Sequence, residues 1–234
     1  MSDIGGSLPA DTRLTQEQVA AGYDQIADVM YEEDVLYEDV LRLAPDCQGR
    51  TLDVGCGQGR LLQHIERRFS GVELFGCDIS PRLCDLARQR VPGADIRVDV
   101  AEGLPRFERA TFDFVFLVAT LEHTQSHESA LAAAFNVLKP SGVMLIATTN
   151  RGWTRYERWR RDHVQVEPVD HYWFTSEELK GLLRQARFDI EQVAGGWSWV
   201  RGGAWHAWER RAARLIPAIR TRMKMLLIRS RKPD

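Results

Sequence analysis

The sequence predicts an α/β protein with a mostly parallel sheet sandwiched between helices. Three observations carry this expectation. Short apolar runs alternate with helix-period segments along most of the chain, the pattern of repeated strand–helix–strand units that parallel pairing requires. The run Phe112–Val118, FDFVFLV, is apolar almost throughout, as befits a strand covered on both faces. A glycine-rich turn, Gly55-Cys-Gly-Gln-Gly59, follows directly on the first apolar run, at the strand end where such sheets place their ligands. With 234 residues, 44% of them hydrophobic and 27% charged, the chain reads as one domain over residues 1–234, long enough for a sizeable core.

Residues up to about Thr15 are polar and read as a loose arm. From Gln16 to Leu43 the residues Val19, Tyr23, Ile26, Met30, Val35 and Leu36 recur at three- and four-residue steps, a helical pattern. Leu52–Val54 reads as the first strand and Arg60–Arg68 as the helix behind it. Val72–Cys77 is the second strand. Ser80-Pro81 opens a helix to Arg90, with Pro suited to a first helical turn. Ile96–Val98, Phe112–Val118 and Val143–Thr148 follow as strands, with a helix Ser129–Leu138 stopped by Pro140 and Gly142. Residues 150–174 are rich in Trp, Arg, His and Pro and too long for an ordinary connection, so they read as a functional insertion. Thr175-Ser-Glu-Glu-Leu has the form of a helix cap with acids in the first turn. Phe188–Val193 is strand six. Residues 204–215 read as a basic amphipathic helix, and Met223–Ile228 reads as a last strand, because Pro217 interrupts the helix before it.

A net charge of −2 gives no overall drive toward nucleic acid, and no module that reads RNA or DNA is visible. Charge is uneven, though: from Arg201 onward, ten Lys and Arg residues face only Glu209 and Asp234. With Trp205 and Trp208, that tail could touch an anionic membrane, or it is a solvated helix face. The cysteines Cys47, Cys56, Cys77 and Cys84 lack a CxxC pair or zinc spacing and read as buried free thiols of a reducing compartment. The first residues lack the basic-then-apolar order of a signal peptide, so the expected location is cytoplasmic.

The glycine turn narrows the ligand. Glycines at alternate positions let a backbone approach a nucleotide-like ligand, and Asp78 lies about 20 residues on, where an acid can take ribose hydroxyls. Taken alone, Asp78 reads equally well as the cap of the helix from Pro81. The spacing is GxGxG, with Arg60 where a dinucleotide fingerprint wants a third glycine. Asp53 stands just before the loop, where it would repel a pyrophosphate and attract a cation.

Five blocks in order, LDVGCGQG, FGCDIS, DVAEGLP, FDFVFLVATLEHT and VLKPSGVMLI, make the chain resemble the class I S-adenosylmethionine-dependent methyltransferases, within them most of all the broad small-molecule group that includes the ubiquinone-pathway O-methyltransferases. That resemblance covers roughly Tyr23–Leu183 and implies a Rossmann-like, seven-stranded sheet with a helical N-terminal lid (residues 16–43) that includes Tyr23-Asp-Gln-Ile-Ala. It implies S-adenosyl-L-methionine as cofactor. Asp53 would position its methionine part, and Gly55, Gly57 and Gly59 would line the loop. Asp78 with Ile79 would take the ribose, Asp99 with Val100 and Ala101 would meet the adenine edge, and Val118 would lie near the methyl group. One departure is Lys-Pro-Ser-Gly where KPGG is usual.

Methyl transfer from a sulfonium is an in-line displacement, for which a protein chiefly supplies alignment and a dry site, plus a base where the acceptor is a hydroxyl. The base candidates are His171, in a segment similar to the family's His-xx-Phe-Thr stretch, and His123 and Glu122 after strand four. His127, four residues beyond His123, reads as a helix start rather than a metal ligand, and no metal is expected. Cys56 reads as a small packing residue. All seven tryptophans fall after strand five and suggest an apolar or aromatic acceptor pocket. The expected function is methylation of a small molecule, oxygen preferred; the alternatives are a lipid headgroup, a saccharide, or a non-catalytic cofactor-binding subunit.

Overall fold

The computed structural model describes residues 15–27, 34–152, 172–196 and 223–234. Two helices, α1 (Gln16–Ile26) and α2 (Asp34–Arg42), occupy the span read as one long helical segment. Thr15 caps α1 in a reciprocal capping box with Gln18, which satisfies two orphan donors at its start. Then come β1 (Gly49–Val54), α3 (Arg60–Arg68), β2 (Val72–Asp78), α4 (Pro81–Arg90), β3 (Asp95–Val98), β4 (Phe112–Val118), a single 3₁₀ turn (Leu121–His123), α5 (His127–Val137), β5 (Leu138–Thr149), α6 (Ser176–Gln185), β6 (Asp189–Gly196) and β7 (Met225–Arg231). The insertion's residues 153–171 and the expected helix 204–215 lie outside the described residues.

One seven-stranded sheet runs in the order β3-β2-β1-β4-β5-β7-β6. The pairs β1–β2, β2–β3, β1–β4 and β4–β5 are parallel, and β7 runs antiparallel between β5 and β6. The last strand is thus present, as its sequence implied, but it enters the interior of the sheet rather than its edge. Chain order reverses direction between β1 and β4, so the crevice at their carboxyl ends is the topological switch point.

The apolar run of β4 divides between the two faces of the sheet. Phe114, Phe116 and Val118 face α2, α3 and α4 with Leu36, Val40, Leu62 and Ile65, whereas Phe112, Val115 and Leu117 face α5 and α6 with Leu131, Ala134, Leu179 and Leu183. From Phe114 onward the alternation is period two with both faces buried, which calls for a continuous apolar run, while the register shift between Phe112 and Phe114 puts Phe112 on the opposite face from its parity. The helix before β5 stops at Val137, and Pro140 and Gly142 fall inside the irregular start of the strand, where the β4–β5 register shifts. Opposite the ligand end, Arg229 of β7 ties the fold together. It donates to Asp46 at 2.6 and 2.8 Å, to Glu191 at 2.6 Å and to the carbonyl of Leu43 at 2.9 Å.

Candidate active site

Each of the first four strands delivers a loop to the same end of the sheet. After β1, Gly55, Gly57 and Gly59 adopt φ values of +73°, +51° and +79°, conformations in which a side chain is strained. Gly59 begins α3, and a Cβ there would lie 3.1 Å from Ala87. At Gly55 the constraint is tighter, since a Cβ would meet the Thr120 hydroxyl oxygen at 2.3 Å. Thr120 donates that hydroxyl to the carbonyl of Val54 at 2.9 Å, bridging the ends of β4 and β1. The glycines therefore let β4's loop close against β1's loop, which forms one wall of the crevice.

Asp78 forms the adjoining wall. Its side chain is buried and accepts from the amide of Gly57 at 2.9 Å and from the amide of Ser80 at 2.9 Å. Burial pushes its pKa up to about 6 against those hydrogen bonds. It supports the start of α4, whose cap is the neighbouring Ser80 rather than Asp78 itself, and it reaches the glycine loop. Ile79 follows it, half-buried.

Asp99 is also buried, but its carboxylate turns onto its own loop, accepting from the amides of Val100 at 2.9 Å and Arg106 at 3.1 Å. It shapes the turn in which Val100 and Ala101 stand half-buried. Asp53 is buried at the end of β1, one residue before Val54, and Val118 is buried at the end of β4 beside an exposed Ala119. Asp53, Asp78 and Asp99 thus end three adjacent strands.

Among the base candidates, the structure separates three cases. Glu122 is buried and accepts from Thr148 Oγ1 at 2.8 Å and Thr149 Oγ1 at 3.4 Å, on β5. Its backbone carbonyl takes the amide of Tyr172 at 2.8 Å. Burial raises its pKa to about 7. His123 is half-buried, its ring edge-on to Tyr23 of α1 at 5.6 Å between centroids. His171 lies outside the described residues. His127 is the first residue of α5, its ring 4.9 Å from Tyr172 and 4.8 Å from Phe174. Among the described residues no cluster of three or more His, Cys, Asp or Glu is placed to hold a metal ion. Cys56 is buried and its thiol is pushed well above its ordinary pKa by burial, so it packs the loop.

Sequence reasoning did not single out Thr120, Gln58 or Asp24, and read Ser80 only as a helix start. Helix α1 lies across the loops through them: Asp24 accepts from Ser80 Oγ, the Gln58 amide donates to the Ala27 carbonyl, and Gln16 donates to Glu102 at 3.5 Å. Arg90 steadies Gln58 from below, donating to its carbonyl at 2.8 Å and to its side-chain oxygen at 3.1 Å. Each had a signal: Asp24 stands beside Tyr23 in the lid segment, and Gln58, Ser80 and Thr120 lie inside the blocks LDVGCGQG, FGCDIS and FDFVFLVATLEHT.

Comparison with known proteins agrees with this geometry. The family described as "Methyltransferase domain" matches residues 30–193. A probable S-adenosylmethionine-dependent methyltransferase of Mycolicibacterium smegmatis is 30% identical over 199 residues, covering 83% of this chain and 72% of that protein. The chain belongs to the S-adenosylmethionine-dependent methyltransferases. This methyltransferase is also 31% identical to a ubiquinone biosynthesis O-methyltransferase of Roseobacter denitrificans, over 66% of its own length and 68% of the relative's. The crystal structure of the [4+2]-cyclase SpnF shares its fold with a TM-score of 0.71 at 20% identity, over 94% of this chain and 97% of that one. No helix among the methyltransferase's described residues is long and apolar enough to cross a membrane.

Proposed function

We propose that the methyltransferase acts on a small, apolar or aromatic acceptor and methylates an oxygen. The observation that carries the site assignment is the crevice at the β1–β4 switch point, walled by glycines and ended by three buried aspartates. Support for oxygen comes from the relatives named ubiquinone biosynthesis O-methyltransferase. When bound, S-adenosylmethionine supplies a methyl group already activated on a sulfonium. The chain's own residues align, shield and deprotonate. Asp53 would hold the cationic methionine end, with the backbone at Gly55 and Gly57 beside it. Asp78 and Ile79 would take the ribose, Asp99, Val100 and Ala101 the adenine edge, and Val118 would stand near the methyl group.

The acceptor's proton goes to a histidine, His171 first and His123 second. Glu122, with its carboxylate engaged by Thr148 and Thr149, holds the end of β5 and the approach of Tyr172 instead of touching the acceptor. The tryptophans beyond β5 suit an apolar acceptor; of these, Trp173 is half-buried next to Tyr172 and Phe174. A turnover screen with labelled methyl donor across phenol, quinone-precursor, amine and sugar acceptors tests this reading. Phenolic or quinone-precursor oxygens should be methylated, and transfer confined to amines or sugars would overturn it.

A further inference from the structure

We propose that Asp24 of helix α1 is a second carboxylate for the ribose of the cofactor, so that closing this helix and binding the nucleoside are one event. The proposal rests on the assignment of the ribose to Asp78.

Two acids converge on one serine. The Ser80 amide donates to Asp78 at 2.9 Å, and the Ser80 hydroxyl donates to Asp24. Ser80 is fully buried, and its hydroxyl also accepts from the amide of Leu83 at 3.0 Å as the cap of α4. The two carboxylates therefore sit on either side of a single residue at the mouth of β2. Their repulsion is felt, since Asp24 adds to the forces that raise the pKa of Asp78, after burial.

Like charges this close are unfavourable unless donors or a cation lie between them. The α4 N-terminus supplies some compensation, but its amides from Ser80 and Leu83 are already committed. Asp78 accepts from the amides of Gly57 and Ser80, with the Ile79 backbone adding to them, and a carboxylate has about four acceptor sites, so one remains. A ribose presents two adjacent hydroxyl donors, the group needed to satisfy two converging carboxylates at once.

Helix α1 is suited to such coupling because polar contacts fasten it along its whole length. Gln16 reaches Glu102 in the loop after β3, Tyr23 meets His123 after β4, Asp24 meets Ser80 after β2, and Ala27 meets Gln58 after β1. Of its described side chains only Val19 and Ala27 join the buried apolar residues. A helix fastened this way gains much of its attachment from whatever satisfies Asp24.

Isothermal titration with S-adenosylhomocysteine and its 2′,3′-dideoxy analogue tests the contact, using wild type, Asp24→Ala, Asp24→Asn and Asp78→Ala. Asp24→Ala should lose about tenfold in affinity for S-adenosylhomocysteine and far less for the dideoxy analogue. Asp24→Asn, which can still accept from the Ser80 hydroxyl, should show the same discrimination with thermal unfolding of the free protein less affected. Equal loss for both ligands, or no loss for either, while Asp78→Ala still discriminates between them, would overturn the role of Asp24 and reduce it to a latch on Ser80. If no variant discriminates, the ribose assignment of Asp78 itself fails, and the proposal with it.

Discussion

The amide of Gly57 donates to the carboxylate of Asp78 at 2.9 Å. This bond joins the loop after β1 to the end of β2 and explains why glycines and an acid some 20 residues apart occur together. A residue at φ +51° turns its amide toward the neighbouring strand, and the acid is what it finds there.

Ligand affinity should report the charge of Asp78. Burial pushes its pKa up to about 6 from 3.8, and hydroxyl donors favour its charged form. S-adenosylhomocysteine affinity should therefore hold above pH 6.5 and fall as pH drops through 6. In Asp78→Asn the affinity should be lower and nearly flat over that range. A wild-type affinity independent of pH between 7 and 5 would contradict this role.

Glu122 should make the free protein sensitive to pH in the opposite sense from an ordinary ion pair. Its pKa is raised from 4.5 to about 7, so the unfolded chain releases this proton first. The charged form then costs stability above pH 7, and the cost is relieved as pH falls from 7 toward 4.5. The isosteric Glu122→Gln should remove that dependence and unfold at the same or higher temperature at pH 8. Glu122→Ala strands the hydroxyls of Thr148 and Thr149 and should cost roughly 2–3 kcal/mol, read by urea denaturation.

Gly55→Ala and Gly71→Ala separate strain from collision. Both sites have similar φ, +73° and +76°, but a Cβ at Gly55 strikes Thr120 whereas nothing lies within 4 Å at Gly71. Gly71→Ala should cost about 1–2 kcal/mol, the price of the left-handed conformation alone. Gly55→Ala should cost about 1–3 kcal/mol more and also weaken S-adenosylhomocysteine binding, as calorimetry would show.

His171→Ala should lower turnover by about 10²-fold or more while leaving cofactor affinity within about twofold, the pattern of a lost base. His123→Ala should act more weakly on turnover and also loosen α1, through the lost contact with Tyr23. Single-turnover rates set beside titrations distinguish the two. Wild-type turnover in His171→Ala would remove it from the mechanism.

Arg229→Met should destabilise the fold by roughly 2 kcal/mol without altering cofactor affinity. It removes the partner of Glu191 and of Asp46, the latter half exposed, which keeps the loss below that of a fully buried pair. The hydrogen bond from Arg229 holds the Asp46 carboxyl below its ordinary pKa. The stability this contributes is present above pH 4 and lost as pH falls further, so acid unfolding of the variant should begin from a lower plateau.

Much of this molecule was legible in order along the chain. Strands β1 to β5 and helices α3 to α6 follow from local periodicity, because period two and period 3.6 expose different faces of the same residues. Strand limits shifted by a few residues at Gly49 and Gly196, where pairing partners continue past the apolar run. The glycine loop and its three aspartates were legible too, since backbone freedom and charge are properties of single residues.

Tertiary structure alone decided what those residues touch. It placed β7 between β5 and β6, turned Glu122 onto Thr148 and Thr149, set Thr120 against Gly55 and brought Asp24 across 56 positions to Ser80. Local pattern sets which face of an element is buried. Which distant group meets that face depends on how the strands order themselves, and that order comes from the burial of both sides of the sheet at once.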